Sequence, residues 1–449
     1  MNRKRLIVYQ HQLWPHILRR QCNCIYLIDR MQIGLLSQGV PHSRHSELRT
    51  DGKNGLTDGI IAVKMPTMIS RLLQKPKQSI LLLGPRGTGK STWIHHHFKD
   101  AVIYDLLSTS EALRLSRDPS ALYRELESGH VSRWVVIDEV QKVPALLDEV
   151  HRLIENHGRR FVLSGSSARK LRRGGTNLLA GRAIVTQMFP FVSAELADDL
   201  SFTRMLTNGS LPMAVLGDDP ASYLMTYAET YLQEEIRAEA LTRNIGHFSR
   251  FLEIAARQNG QVTNVAGIAR DAAVSRQTVQ NYFSVLVDTL IGYWIEPWKL
   301  KRRTKQVQHP KFFLFDPGVA RALSGRIAYP AAHEERGPLL ETLLLNEIRC
   351  FLSYAKRPYK IYFWRNYDGI EVDLLCETTE GFVAAEFKAS ERWDKRFSRG
   401  LKRMRTELGP RLVTCYGVYL GEREALWDDV QVLPVRDFLK RLWDGDVLK

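Results

Sequence analysis

The chain has 449 residues, 44% of them hydrophobic and 25% charged, which is the composition of a globular protein with room for two to four domains. Its formal charge of +15 favours polyanionic partners, nucleic acid before an anionic membrane, although a basic surface can also serve solubility alone. Five cysteines without two C-x-x-C pairs argue against a zinc site and for a reducing, cytoplasmic chain, and no apolar run is long enough to predict a membrane span.

Residues 1–64 form an N-terminal extension. Its first apolar run is broken by Gln10, His11 and Gln12, against a signal peptide, and His45–Gly59 is polar and glycine-punctuated like a loop or disordered segment. Either the functional chain starts at Met65, or the extension is a basic docking arm. Ile80–Leu83 then predicts a buried strand. It runs into the loop Gly84-Pro85-Arg86-Gly87-Thr88-Gly89-Lys90-Ser91, a G-x-x-x-x-G-K-S pattern, followed by Thr92 and a helical segment. The glycines let backbone N–H groups turn toward phosphate oxygens, and the helix behind adds the positive end of its dipole. Gly84 to Thr92 therefore predict an ATP-binding loop in which Lys90 reaches the β- and γ-phosphates and Ser91 holds magnesium.

Ala101–Leu107 reads as the next strand. Trp134–Ile137 reads as another, ending in Asp138 and Glu139, and carboxylates at that end of a parallel strand face the phosphate crevice. Asp138 is expected to hold magnesium through water, and Glu139 to activate the attacking water. Apolar residues spaced by three and four from Val143 to Ile154 predict a helix closed by Gly158. In the following strand, Ser164, Ser166 and Ser167 stand either as γ-phosphate sensors or as a helix cap. Arg182 is either an arginine finger toward a neighbouring copy in a homo-oligomer or a surface arginine.

Taken together, "LLLGPRGTGKST", "WVVIDEVQKV", "VLSGSSARKL" and "LLAGRA…FPFVSAEL" resemble the AAA+-type P-loop ATPases of the archaeal-ATPase-like group. The similar prokaryotic members carry a C-terminal domain of unknown function 4143 with restriction-endonuclease-like motifs. The resemblance runs from Met65 to the end. It implies a RecA-like core over residues 65–195 with ATP and Mg, in which another strand separates the two motif-bearing strands. A helical lid at residues 196–246 is to follow, with "PASYLMTYAETYLQEEIRAEAL" as an amphipathic helix.

Residues 247–330 read as a winged-helix domain. Asn264 and Ser275 are candidate caps, Val279, Phe283, Leu286 and Leu290 fall on one face, and Arg276, Gln277, Thr278 and Asn281 would project toward a groove. A basic hairpin follows, with Lys299, Lys301, Arg302, Arg303, Lys305 and Lys311 suited to phosphate contacts. Such a domain either contacts DNA or serves as a packing module.

Residues 331–449 carry an acidic constellation. A helix bears Glu341 and Glu347, and strand alternation puts Glu371 with Asp373, and Glu386 with Lys388, on shared faces. Adjacent strands would bring Asp373, Glu386 and Lys388 to one point, with Glu341 completing a metal shell. The order resembles the PD-(D/E)xK nuclease superfamily, Asp373 standing as the central acid and Glu386-Phe387-Lys388 as its E-x-K. A later helix adds Lys395, Arg396, Arg399, Lys402, Arg403 and Arg405. The expectation is an α/β protein: a P-loop core with helical lid, a winged helix and a restriction-endonuclease-like domain, in which ATP hydrolysis drives DNA binding and metal-dependent cleavage. Two alternatives stay open. One is an ATP-gated DNA-binding or signalling regulator with a silent nuclease fold, and the other a protein-remodelling ATPase whose charge is incidental.

Overall fold

The computed structural model describes residues 69–127, 133–167, 181–196, 202–231, 245–299 and 307–449. The N-terminal extension and the basic positions Lys301, Arg302, Arg303 and Lys305 lie outside the described residues. Strands β1 (Ile80–Leu83), β2 (Val102–Asp105), β3 (Trp134–Asp138), β4 (Arg160–Gly165) and β5 (Ile184–Gln187) form a sheet in the order β2-β3-β4-β1-β5, every pairing parallel. Near-continuous apolar runs build its centre because such strands are covered on both faces. Strand β4 separates β1 from β3: Leu163 pairs with Leu81 on one side and Ile137 on the other. The expected intervening strand is therefore present. Helix α1 (Lys90–His97) follows the glycine loop, then α2 (Thr109–Arg117), α3 (Ser120–Glu127) and α4 (Leu146–His157). Gly158 closes α4 at φ +58°, as its position in the sequence indicated.

Three short helices come next, α5 (Phe202–Asn208), α6 (Pro212–Leu216) and α7 (Pro220–Thr226). Of the long amphipathic helix expected here, residues 220–231 are helical, and residues 232–241 lie outside the described residues. Helix α7 widens at Tyr227–Tyr231 into a π-helical turn, and the Tyr227 hydroxyl donates to the Arg86 carbonyl of the glycine loop at 3.0 Å. Then α8 (Ile245–Arg257), α9 (Val265–Asp271) and α10 (Arg276–Asp288) pack together. The Asn264 side chain caps α9 through Gly267 N and Ser275 caps α10 through Thr278 N. Val279, Phe283 and Leu286 are buried, whereas Arg276, Gln277 and Asn281 are exposed. Leu290 lies past the end of α10 at φ +62° and is only half-buried.

Strands β6 (Gly292–Pro297) and β7 (Lys311–Leu314) form the anticipated antiparallel hairpin, but it is not a free wing. After α11 (Pro317–Leu323) and α12 (His333–Tyr354) come β8 (Ile361–Arg365), β9 (Glu371–Glu377) and β10 (Phe382–Lys388). They lead to α13 (Arg399–Leu408), β11 (Leu412–Tyr419), β12 (Ala425–Trp427), β13 (Val430–Pro434) and α14 (Val435–Trp443). The strands run in the order β12-β13-β11-β10-β9-β8-β6-β7, because the end of β6 pairs with β8 through Glu296↔Tyr362 and Pro297↔Phe363. One eight-stranded sheet thus crosses the boundary expected at 330/331. It also corrects the reading of Lys311 as a phosphate contact: at 3% exposure, that side chain is inside the protein.

Helix α13 packs flush on β9. A Cβ added at Gly400 would lie 1.8 Å from the Glu371 carbonyl oxygen. Gly400→Ala therefore has to push the helix off the strand, at an expected cost of about 3 kcal/mol, read from the urea midpoint of the full chain.

Candidate functional site

The first site is the loop between β1 and α1. Gly87 and Gly89 take φ +78° and +88°, and a Cβ at Gly84 would meet the Met188 carbonyl at 2.5 Å. Lys90 is 6% exposed and its ammonium donates to the Gly84 and Pro85 carbonyls at 2.7 and 3.0 Å. Ser91 Oγ donates to Asp138 Oδ2 at 2.9 Å, and the Ser164 hydroxyl donates to Asp138 Oδ1. This hydroxyl–carboxylate pair supplies the hard oxygens that suit magnesium. Glu139 sits just past β3 at φ +58°. Its Oε2 accepts from the Gln141 amide, which also donates to Ser166 Oγ at 3.1 Å. Ser164 and Ser166 are thereby tied to the two acids. Gln141, which orients Glu139, was absent from the sequence reading; its only signal is a place two residues beyond that acid. Arg182 is ion-paired with Glu155 on α4 of its own chain.

A second residue gave no signal in sequence. Arg71 donates to Thr88 O in the loop at 2.8 Å, to Phe189 O at 2.6 Å and to Glu195 Oε1 at 3.0 Å. It joins the phosphate loop to the turn Ser193–Glu195 that follows β5.

The second site lies on α12, β7, β9 and β10. Antiparallel pairing of β9 with β10 brings Asp373 opposite the E-x-K segment, and Asp373 Oδ2 accepts from Phe387 N at 2.7 Å. Lys388 Nζ lies 2.5 Å from Glu386 Oε1 and 3.8 Å from Asp373 Oδ2. The expected trio does converge. Glu341, Glu371 and Asp373 form a second grouping, with ligand oxygens all within 4.8 Å of one another. Glu371, whose role the sequence reading left open, thus joins the acids, whereas Glu386 stands beside this group rather than in it. Lys311, expected on a phosphate-facing hairpin, belongs here instead: its ammonium lies 2.6 Å from Glu341 Oε1 and 2.5 Å from Glu371 Oε1. Burial pushes the Glu341 carboxyl up to about 8 despite that ammonium, and raises Glu386 well above the usual carboxylate range, with Asp373 adding repulsion. Glu386 Oε2 is buried without a hydrogen-bond partner. Glu371 Oε1 likewise has no hydrogen-bond partner, although the Lys311 ammonium stands 2.5 Å away, and an all-carboxylate donor set of this kind fits a hard divalent cation such as Mg. A cavity of about 370 Å³, lined in part by Lys311, Glu341, Glu371 and Asp373, opens beside it.

Glu347, about one and two-thirds turns along α12 from Glu341, fastens this site to the AAA domain. Its carboxylate accepts from Ser193 N at 2.7 Å, Ser193 Oγ at 3.0 Å and Trp443 Nε1 at 2.7 Å. Glu347→Ala leaves those donors without their acceptor, and the expected loss is about 3 kcal/mol in urea unfolding. The loss depends on pH. Burial pushes the Glu347 carboxyl from its ordinary 4.5 up to about 7, against the pull of its three donors. A folded value above the unfolded one means that the stabilisation is complete below the unfolded value and fades as pH rises through about 7. The gap in stability between wild type and Glu347→Ala should therefore be wider at pH 5 than at pH 8. A constant gap sinks the assignment. Asp316, pushed up to about 6 by burial, titrates in the same direction in both proteins and cancels in the difference.

Comparison with known proteins divides the chain in three. Residues 76–197 match an AAA domain, residues 199–328 a domain of unknown function (DUF8612), and residues 336–438 a domain of unknown function (DUF4143). Uncharacterized proteins of Mycobacterium tuberculosis and Mycobacterium bovis are each 27% identical over 375 residues, 80% of this chain and 80% of theirs. An uncharacterized protein of Methanocaldococcus jannaschii is 22% identical over 75% of this chain and 84% of its own. Among solved structures, AMPPCP-bound DnaA from Aquifex aeolicus overlaps 47% of this chain and 81% of its own at 13% identity and a TM-score of 0.23. No helix among the described residues is long and apolar enough to cross a membrane. The chain therefore joins an AAA-type P-loop ATPase domain to a C-terminal DUF4143 domain.

Proposed function

We propose that the protein is an ATP-hydrolysing switch whose C-terminal half binds DNA and cleaves it with a divalent cation. The observation that carries this reading is the convergence of Asp373, Glu386 and Lys388 from two paired strands beside a polar cavity. In the ATPase domain, Lys90 holds the terminal phosphates, Ser91 and Asp138 hold magnesium, and Glu139 takes the proton of the attacking water on its carboxylate. In the C-terminal domain, Lys388 Nζ orients water and balances charge on the phosphodiester, while Asp373 and Glu341, joined by Glu371, would hold the cation with Glu386 beside them. Magnesium bound at either place supplies charge neutralisation at phosphate oxygens and, at the second, a lowered pKa for bound water.

DNA contact rests on α8–α10 read as the helical part of a winged helix, on exposed Arg276, Gln277 and Asn281, and on the basic face of α13. On that face Lys402 pairs with Asp428 and Arg403 with Glu407, and such surface bridges yield readily to phosphates. The same reading takes the protein to be cytoplasmic and assigns Arg182 to a neighbouring copy once it leaves Glu155. A second reading, an ATP-gated DNA-binding regulator with a silent nuclease-like domain, is favoured by Lys311 lying among the acids.

Incubation with supercoiled plasmid and magnesium or manganese, with and without ATP, separates the two. Nicking that disappears in Asp373→Ala supports cleavage. Retention on DNA without nicking under either metal supports the regulator. DNA affinity that is absent, or flat against salt concentration, overturns both and leaves a remodelling ATPase.

A further inference from the structure

We infer that Lys311 gates the acidic site: its ammonium stands where a divalent cation would bind among Glu341, Glu371 and Asp373, and the cation enters only when that side chain swings out. The purpose of the gate rests on the cleavage reading above, but its existence does not.

The three carboxylates present oxygens within 4.8 Å of one another, a spacing that one small cation can span. Lys311 Nζ already sits 2.6 Å from Glu341 and 2.5 Å from Glu371. Magnesium–oxygen bonds are about 2.0–2.1 Å, so a metal on the same two oxygens would lie almost on top of the ammonium. Like charges cannot share that point. The ammonium is also held from the side, 5.3 Å from the centroid of the Phe363 ring, and the residue is 3% exposed.

Counting charges gives the gate a reason. Glu341, Glu371, Asp373 and Glu386 carry four negative charges when all are ionised, and Lys311, Lys388 and Arg365, whose Nη1 lies 3.5 Å from Glu371 Oε2, return three. With every acid ionised the site is one positive charge short, and Glu386 Oε2 is buried with no hydrogen-bond partner. There is also somewhere for the side chain to go. The cavity of about 370 Å³ reaches from Lys311 to Gly260, Gln261 and Val262, and a lysine stem has four rotatable carbons. Lys311 hangs on the same segment, its backbone bridged to Val262 and its neighbour Phe312 accepting from Gly260 N at 2.9 Å.

The test is Mn²⁺ binding to the full-length protein without nucleotide, followed by electron paramagnetic resonance of the free ion. Lys311→Met should bind Mn²⁺ at least ~10-fold more tightly than wild type, the scale by which one neighbour of a metal site shifts affinity. The gain should vanish in the double variant Lys311→Met, Glu371→Gln, which removes a carboxylate from the site but leaves the ATP loop alone. Lys311→Arg, which keeps the cation, should behave as wild type. Equal affinity in wild type and Lys311→Met overturns the gate, as does a gain that survives in the double variant. If Lys311→Met does not fold, Lys311→Gln carries the same comparison. A gain in binding without plasmid nicking sinks the cleavage reading and leaves the gate standing; nicking with unchanged binding does the reverse.

Discussion

Replacing Lys90 with methionine should abolish ATP turnover: phosphate release at saturating ATP is expected to fall at least ~100-fold, the scale for removing a preorganised charge from a reacting centre. The geometry gives the reason. Lys90 opens α1, is 6% exposed, and holds its ammonium on the Gly84 and Pro85 carbonyls. Those carbonyls lie in the loop that must present its N–H groups to phosphate, so the same ammonium shapes the loop and neutralises the ligand. Methionine keeps the length and apolar stem and removes both functions. Ser91, Asp138 and Glu139 remain in place, so a variant that retained a tenth or more of wild-type turnover would refute the assignment of Lys90.

The second large effect is expected at Asp373. Asp373→Asn leaves an oxygen able to accept from Phe387 N, so the pairing of β9 with β10 survives. It removes a negative charge from the grouping that Asp373 forms with Glu341 and Glu371, and the counter-charge 3.8 Å from Lys388. Metal-dependent nicking of plasmid should fall at least ~100-fold while ATP hydrolysis is unchanged. Loss of both activities together would mean that the substitution acts through folding, and unchanged nicking would place the cutting elsewhere.

The geometry around the glycine loop was largely legible in sequence because its parts are contiguous. Strand, glycine loop and helix occupy Ile80 to His97, and Asp138 with Glu139 sit at a strand end that any parallel sheet turns toward the loop. What escaped were residues whose roles depend on distant partners. Arg71 reaches Glu195 across 124 positions, and Glu347 reaches Ser193 across 154. In the C-terminal domain, strand alternation was enough to pair Glu371 with Asp373 and Glu386 with Lys388. Lys311 was not recoverable that way. It follows a run of basic residues, and local chemistry gives such a lysine to solvent. Only the pairing of β6 with β8 turns the hairpin inward, and that pairing links residues more than sixty positions apart, with no local turn to announce it. The π-helical turn after Thr226 was equally unannounced, since amphipathic periodicity carries no trace of the Tyr227 contact with the glycine loop.

The sheet that joins β6 and β7 to β8 has a consequence for how such proteins can be recombined. A gene fusion cut at the apparent border near residue 330 would transplant the four acids and Lys388 but leave Lys311 with the donor. The graft would arrive with an exposed strand edge at β8 and a cluster of carboxylates stripped of one counter-charge. The structural unit is therefore longer than its acidic motifs. It begins no later than Gly292, so a transplant of this domain has to carry the hairpin along with it.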